Sequence, residues 1–115
     1  MADTCIFCKI INKELKSTIV YEDEDILAFK DLNPVASTHL LFIPKKHIES
    51  MNTLEVSDAN LIGKLLIKIS EIANEKGLSK NGYRVVANTG RDGGQTVFHL
   101  HFHLLAGRSL HWPPG

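Results

Sequence analysis

The chain has 115 residues, 43% of them hydrophobic, which suits one domain spanning 1–115 with a modest core and leaves too little for two. Thirteen basic and thirteen acidic residues cancel, so no overall field draws the protein to nucleic acid or to an anionic membrane, and any anion must be held locally. Met1-Ala2-Asp3-Thr4 lacks the basic and apolar regions of a signal peptide, and apolar runs such as Leu40 to Ile43 are too short to cross a bilayer, so a cytoplasmic protein is expected.

The two cysteines, Cys5 and Cys8, are separated by two residues, too close to staple distant parts of a fold, and suggest a metal or redox pair. Ile6, Ile10, Ile11 and Leu15 have the spacing of a short helix over Ile6 to Leu15. Thr18 to Tyr21 and Ile26 to Phe29 are β-rich runs joined by the acidic turn Glu22-Asp23-Glu24-Asp25. Asp31-Leu32-Asn33-Pro34 forces a turn, and His39 to Ile43 is a third strand. From Ser57, read as an N-cap, the residues Leu61, Ile62, Leu65, Leu66, Ile69, Ile72 and Ala73 fall on one helical stripe that Gly77 ends. A strand from Tyr83 to Ala87, a polar loop over Asn88 to Gln95 and a strand from about Val97 to Leu105 complete the pattern. Strands in runs broken by one long helix argue for an α+β fold, an antiparallel sheet with helices on one side.

Alternation on the last strand puts His99, His101 and His103 on one face and Phe98, Leu100, Phe102 and Leu104 on the other, packed in the core. Successive histidines stand roughly 6 to 7 Å apart on a straight strand, which argues against one metal ion held by all three. Neutral imidazole is a nucleophile near pH 7 and imidazolium stabilises phosphate, so such a row suits phosphoryl chemistry. Gly93 and Gly94, just before it, let backbone N–H groups approach an anion, although two adjacent glycines alone are also an ordinary turn.

The run His99 to Leu105 resembles the His-φ-His-φ-His-φ-φ signature of the histidine triad family of nucleotide hydrolases and transferases. Phe29-Lys30-Asp31-Leu32-Asn33-Pro34, Thr38-His39-Leu40-Leu41, Ile43-Pro44-Lys45-Lys46-His47, Asp92-Gly93-Gly94-Gln95 and His111-Trp112-Pro113-Pro114-Gly115 bring it closest to the Hint branch. The resemblance implies a sheet of about five strands with one long and one short helix, extended across a homodimer. It further implies binding of a purine nucleotide and hydrolysis of nucleoside phosphoramidates through a nucleotidyl-histidine. By that likeness His101 is the nucleophile and His103 holds the phosphate. Asn88, Gly94, Gln95, Thr96 and Val97 border the phosphate or leaving group. Asp31 takes the ribose hydroxyls, and Phe7, Ile10, Phe29, Leu32 and Leu41 wall the base, though each of these apolar residues reads equally well as plain core. His39, or the backbone near His99, is expected to fix the tautomer of His101.

Some members of the family carry zinc on such a cysteine pair, which implies the ligand set Cys5, Cys8, His47 and His99, with His39 in place of His47 or a free thiol pair as alternatives. Four protein ligands imply a structural ion and no metal requirement for catalysis. Alternative functions are hydrolysis of dinucleoside polyphosphates, metal-dependent hydrolysis, and a nucleotide-binding scaffold with little turnover.

Overall fold

In the computed structural model, which describes residues 4–115, a five-stranded antiparallel sheet carries the chain. Its strands are β1 (Ile19–Glu22), β2 (Ile26–Lys30), β3 (Thr38–Pro44), β4 (Arg84–Val86) and β5 (Phe102–Ala106). They lie in the order β1-β2-β3-β5-β4, so β4 is an edge. The helices are α1 (Ile6–Ile11), α2 (Ala59–Glu75) and the single turn α3 (Gly90–Gly93).

The acidic turn closes without glycine because Asp23 Oδ1 accepts from the N–H groups of Asp25 and Ile26, while the Tyr21 hydroxyl donates to Asp23 Oδ2. Both faces of the central strands are covered. Ile26, Ala28, Leu40, Phe42, Phe102 and Leu104 meet Leu65, Ile69, Ile72 and Ala73 of α2. The alternate residues Leu27, Phe29, Leu41 and Ile43 meet Phe7, Cys5 and Cys8 at the start of the chain. That double burial explains why β2 and β3 read as nearly continuous apolar runs.

Several expectations shift. The first helix stops at Ile11, where Asn12 caps it and Lys13 turns to φ 66, so Leu15 lies outside it. Ser57 is not an N-cap: it lies within a 3₁₀ turn over Val56–Asp58, and α2 begins at Ala59. The carboxylate of Asp58 instead accepts from Glu55 N–H and from Lys46 Nζ at 2.7 Å, pinning the segment after β3 to the head of α2. Leu66 points away from the core at 46% exposure. The last ladder begins at Phe102 rather than near Val97: residues 96–101 lie outside the sheet with a bend over 97–99, and Leu100 N–H donates to the Ile48 carbonyl. Phe98, expected inside, is half exposed, while Leu100, Phe102 and Leu104 keep the alternation and stay buried. No helix among the described residues is long and apolar enough to cross a membrane.

Candidate functional site

The sheet face beneath α1 carries two neighbouring constellations, and the histidine row supplies both. In register across that face, Phe29 pairs with Leu41 and Leu41 with His103, so two apolar side chains and one imidazole form the floor of a cleft of about 440 Å³. Phe7, Ile10, Leu32 and Val97 give it apolar walls, and Asp31, His39, Thr96 and His101 give it polar ones. Phe7 sets its ring edge-to-face against Phe29, His99 and His101, with centroids 5.4, 5.9 and 5.1 Å away. Lys16, Ser17 and Val35 also line the cleft, although no motif in the sequence marks them, and so does Asn33 of the Phe29-to-Pro34 motif.

Within the cleft the ring centroids of His101 and His103 are 5.1 Å apart. His101 Nδ1–H donates to the His99 carbonyl oxygen at 2.7 Å, which leaves Nε2 as a bare lone pair when the ring is neutral. The tautomer of His101 is therefore set by the backbone near His99, and His39 serves a different ring: its Nε2 lies 2.9 Å from His103 Nδ1 and 3.4 Å from Asp31 Oδ2. Burial holds both cleft histidines below the ordinary imidazole value. His101 is drawn down by burial, against the pull of the His99 carbonyl and Asp31. His103 is brought to about 4 by burial and by the neighbouring rings of His101 and His39, with Asp31 opposing. Both are neutral at pH 7.

His99 turns the other way, into a group of Cys5, Cys8, His47 and His99 whose ligand atoms all lie within 4.8 Å of one another. His99 Nδ1 is 3.4 Å from Cys5 Sγ, 3.6 Å from Cys8 Sγ and 3.2 Å from His47 Nδ1, and Cys8 Sγ is 3.3 Å from His47 Nδ1. Bonds of zinc length to sulfur and nitrogen arranged as a tetrahedron separate ligand atoms by about 3.3 to 3.8 Å. The donor set fits. His99 Nε2–H donates to the Pro44 carbonyl at 2.8 Å, so its Nδ1 lone pair faces the other three ligands. Burial, with His47 and His101 nearby, lowers His99 to about 4, so the ring is neutral as a ligand must be. Burial beside Cys5 pushes the Cys8 thiol up to about 11, a direction that a bound cation reverses. The group is thus compatible with a structural zinc ion. His39 is not part of it, and neither is His111.

Three residues expected at the phosphate do not border the cleft: Asn88, Gly94 and Gln95. Gln95 is buried and uses its whole amide on the backbone. Its nitrogen donates to the carbonyls of Glu49 and Val97, and its oxygen accepts from Gly90 N–H. It ties the His47 segment to α3, and Gly94, at φ 84, ends that helical turn. Glycine there meets a backbone requirement.

Fold and site together define an α+β protein with a histidine-lined cleft backed by a Cys2His2 group. A family model described as "Scavenger mRNA decapping enzyme C-term binding" matches residues 4–111. The chain is 49% identical to an uncharacterized HIT-like protein of Synechocystis over the whole of both chains. It is also 49% identical to the 14 kDa zinc-binding protein of Zea mays, over 96% of this chain and 87% of that one. The crystal structure of a HIT family hydrolase from Legionella pneumophila superposes with a TM-score of 0.96 at 50% identity, covering 97% of this chain and all of the other. The chain belongs to the HIT, or histidine triad, family.

Proposed function

We propose that the protein is a nucleotide-binding hydrolase of the Hint branch that cleaves purine nucleoside phosphoramidates through a nucleotidyl-histidine intermediate. The observation that carries this reading is the bare Nε2 of His101, its proton committed at Nδ1 to the His99 carbonyl, inside a cleft with an apolar end for a base. The base lies between Phe7, Ile10, Phe29, Leu32 and Leu41, and the ribose hydroxyls meet Asp31 Oδ2, since Oδ1 already accepts from Asn33 N–H at 2.7 Å. The phosphate then sits over His101, His103 and Thr96.

His101 Nε2 attacks the α-phosphorus, the phosphorus–nitrogen bond breaks, and the departing amine takes a proton from His103. Water next attacks the phosphorus, the phosphorus–histidine bond breaks, and the proton from water returns to the histidine pair. Two neutral rings, backbone N–H groups and a threonine hydroxyl supply the positioning that such a displacement relies on.

A structural zinc ion held by Cys5, Cys8, His47 and His99 fits this reading, as does a reducing compartment such as the cytoplasm for the free cysteine pair. So does a homodimer joined through β4. That edge strand is three residues long with Val85 exposed and Tyr83 exposed just before it, and α2 leaves Leu66 and Ile67 exposed.

The deciding experiment is mass spectrometry of protein quenched during turnover of an adenosine phosphoramidate. An adenylyl adduct on His101, absent from His101→Ala together with the activity, is the expected result. Full activity in that variant overturns the mechanism, and absence of nucleotide binding by calorimetry overturns the substrate class.

A further inference from the structure

The contacts of His39 fix more than its own position. The N–H of Val35 can only donate, and it lies 3.1 Å from His39 Nδ1. A ring nitrogen that accepts carries no proton, so the single proton of His39 is on Nε2. His39 Nε2 has two neighbours, His103 Nδ1 at 2.9 Å and Asp31 Oδ2 at 3.4 Å, and only the first is at hydrogen-bond distance for a well-made bond. His103 Nδ1 is therefore the acceptor, and the proton of neutral His103 is on Nε2, for which no partner exists among the described residues. His101 has the opposite arrangement, with its proton on Nδ1.

We propose that His39 is a positioning residue that fixes the tautomer of His103 as Nε2–H, opposite to the bare Nε2 that the His99 carbonyl leaves on His101, with the Val35 backbone N–H as the element that sets the chain of donors. The tautomers stand on geometry alone; their catalytic meaning rests on the phosphoramidase reading. In that reading a nucleophilic nitrogen and a proton donor are needed side by side, and two free imidazoles in exchange would each offer either form.

The surroundings hold this order. Val35 is fixed at both ends of its residue, because Arg108 Nε donates to its carbonyl at 3.0 Å while its N–H meets His39. The turn that delivers it is closed by Asn33 N–H on Asp31 Oδ1. The His39 side chain is only 5% exposed. Asp31 Oδ2 faces the same nitrogen from 3.4 Å.

The test is histidine-tautomer assignment by long-range ¹H–¹⁵N NMR on the metal-loaded protein without substrate, paired with steady-state kinetics. Wild type is expected to show His103 as Nε2–H and His101 as Nδ1–H. In His39→Leu, which removes the donor, His103 loses its single tautomer and kcat falls on the order of 100-fold with KM changed by no more than about threefold. His39→Gln, whose amide again offers a donor at the same depth, restores the tautomer and most of kcat. Val35→Pro deletes the backbone N–H, together with the valine side chain that lines the cleft, and is expected to release His39 and His103 together, which keeps the test available if His39→Leu does not fold. Nδ1–H on His103 in wild type, or an unchanged His103 tautomer in both His39→Leu and Val35→Pro, overturns the proposal. The expected tautomers in a protein that turns over no phosphoramidate would uphold the assignment and overturn the substrate reading instead.

Discussion

The carbonyl oxygen of His99 accepts the Nδ1–H of His101 at 2.7 Å. His99 therefore has its ring in the Cys2His2 group and its peptide oxygen on the cleft histidine, and whatever immobilises the ring immobilises the oxygen. Removal of a bound ion by a chelator, or Cys8→Ser, is expected to lower the melting temperature, because α1 and residues 96–101 lose their common anchor. It should also lower kcat by about tenfold through a looser His101. Thermal melts and turnover measured with and without added zinc check both. Complete loss of turnover in a protein that remains folded would place the ion at the reacting atoms and sink the structural assignment.

The pH dependence follows from the direction of two shifts. Burial lowers His101 and brings His103 to about 4, against an ordinary value of 6.5, so both rings take up a proton at lower pH than a free imidazole does. The acid limb of kcat/KM is expected below pH 6.5. For stability the sign is that of a depressed group: between 6.5 and about 4 the unfolded chain binds more protons than the native one. The contribution of His103 is then fully present above 6.5 and is lost as the pH falls through that window. Melting temperatures of wild type and His103→Gln between pH 4 and 8 check this, with a flatter profile expected for the variant.

Phe7 joins the walls of both constellations, touching Phe29, His99 and His101 by its ring edge or face. Phe7→Ala is expected to destabilise the fold by about 3 kcal/mol and to raise KM for a purine nucleotide more than it lowers kcat. Urea unfolding and steady-state kinetics separate the two effects. An unchanged KM would remove Phe7 from the base site.

The sheet was legible where periodicity was strong, as in the alternating Leu100, Phe102 and Leu104 and the stripe Leu65, Ile69, Ile72 and Ala73. Residues 96–101 lie outside the ladder and Phe98 is half exposed, yet Phe7 meets the rings of both His99 and His101. What sequence did not convey depended on tertiary partners. Ser57 is a good cap by type, but the Lys46–Asp58 pair and the turn before it decide where α2 starts. Gln95 is polar and adjacent to the histidines, yet three backbone groups claim its amide. The partnership of His39 with His103 comes from the β3–β5 register, in which Leu41 stands opposite His103 and His39 is its diagonal neighbour on the same face. No local pattern encodes that register, nor the role of the Val35 N–H.

An unpaired edge strand with an exposed valine is a site for sheet continuation or for aggregation. In the proposed homodimer joined through β4, Val85→Lys is expected to convert dimer to monomer in sedimentation velocity without unfolding it, because Val85 is 40% exposed and its loss leaves the core intact. A dimer that persists in this variant would move the interface away from β4.

Gly107 ends β5 at φ 99, a region that L side chains rarely adopt, and a Cβ built there runs into the Ser37 hydroxyl. Ser37 belongs to the loop between Asp31 and β3 and donates weakly to the Ala106 carbonyl, so the close approach packs the end of one strand against the loop that carries Val35. Gly107→Ala therefore meets two separate penalties. The left-handed backbone costs on the order of 1–2 kcal/mol for any residue with a Cβ. The steric part displaces Ser37 and, two residues on, the backbone that presents His39. Gly107→Ala should lower the urea midpoint and also reduce kcat, although residue 107 lines no part of the cleft. Combining it with Ser37→Gly empties the contested space, so kcat and part of the stability are expected to return while the backbone penalty remains. If the double variant recovers nothing, the close approach to Ser37 is not what limits residue 107, and the strain lies in the backbone alone.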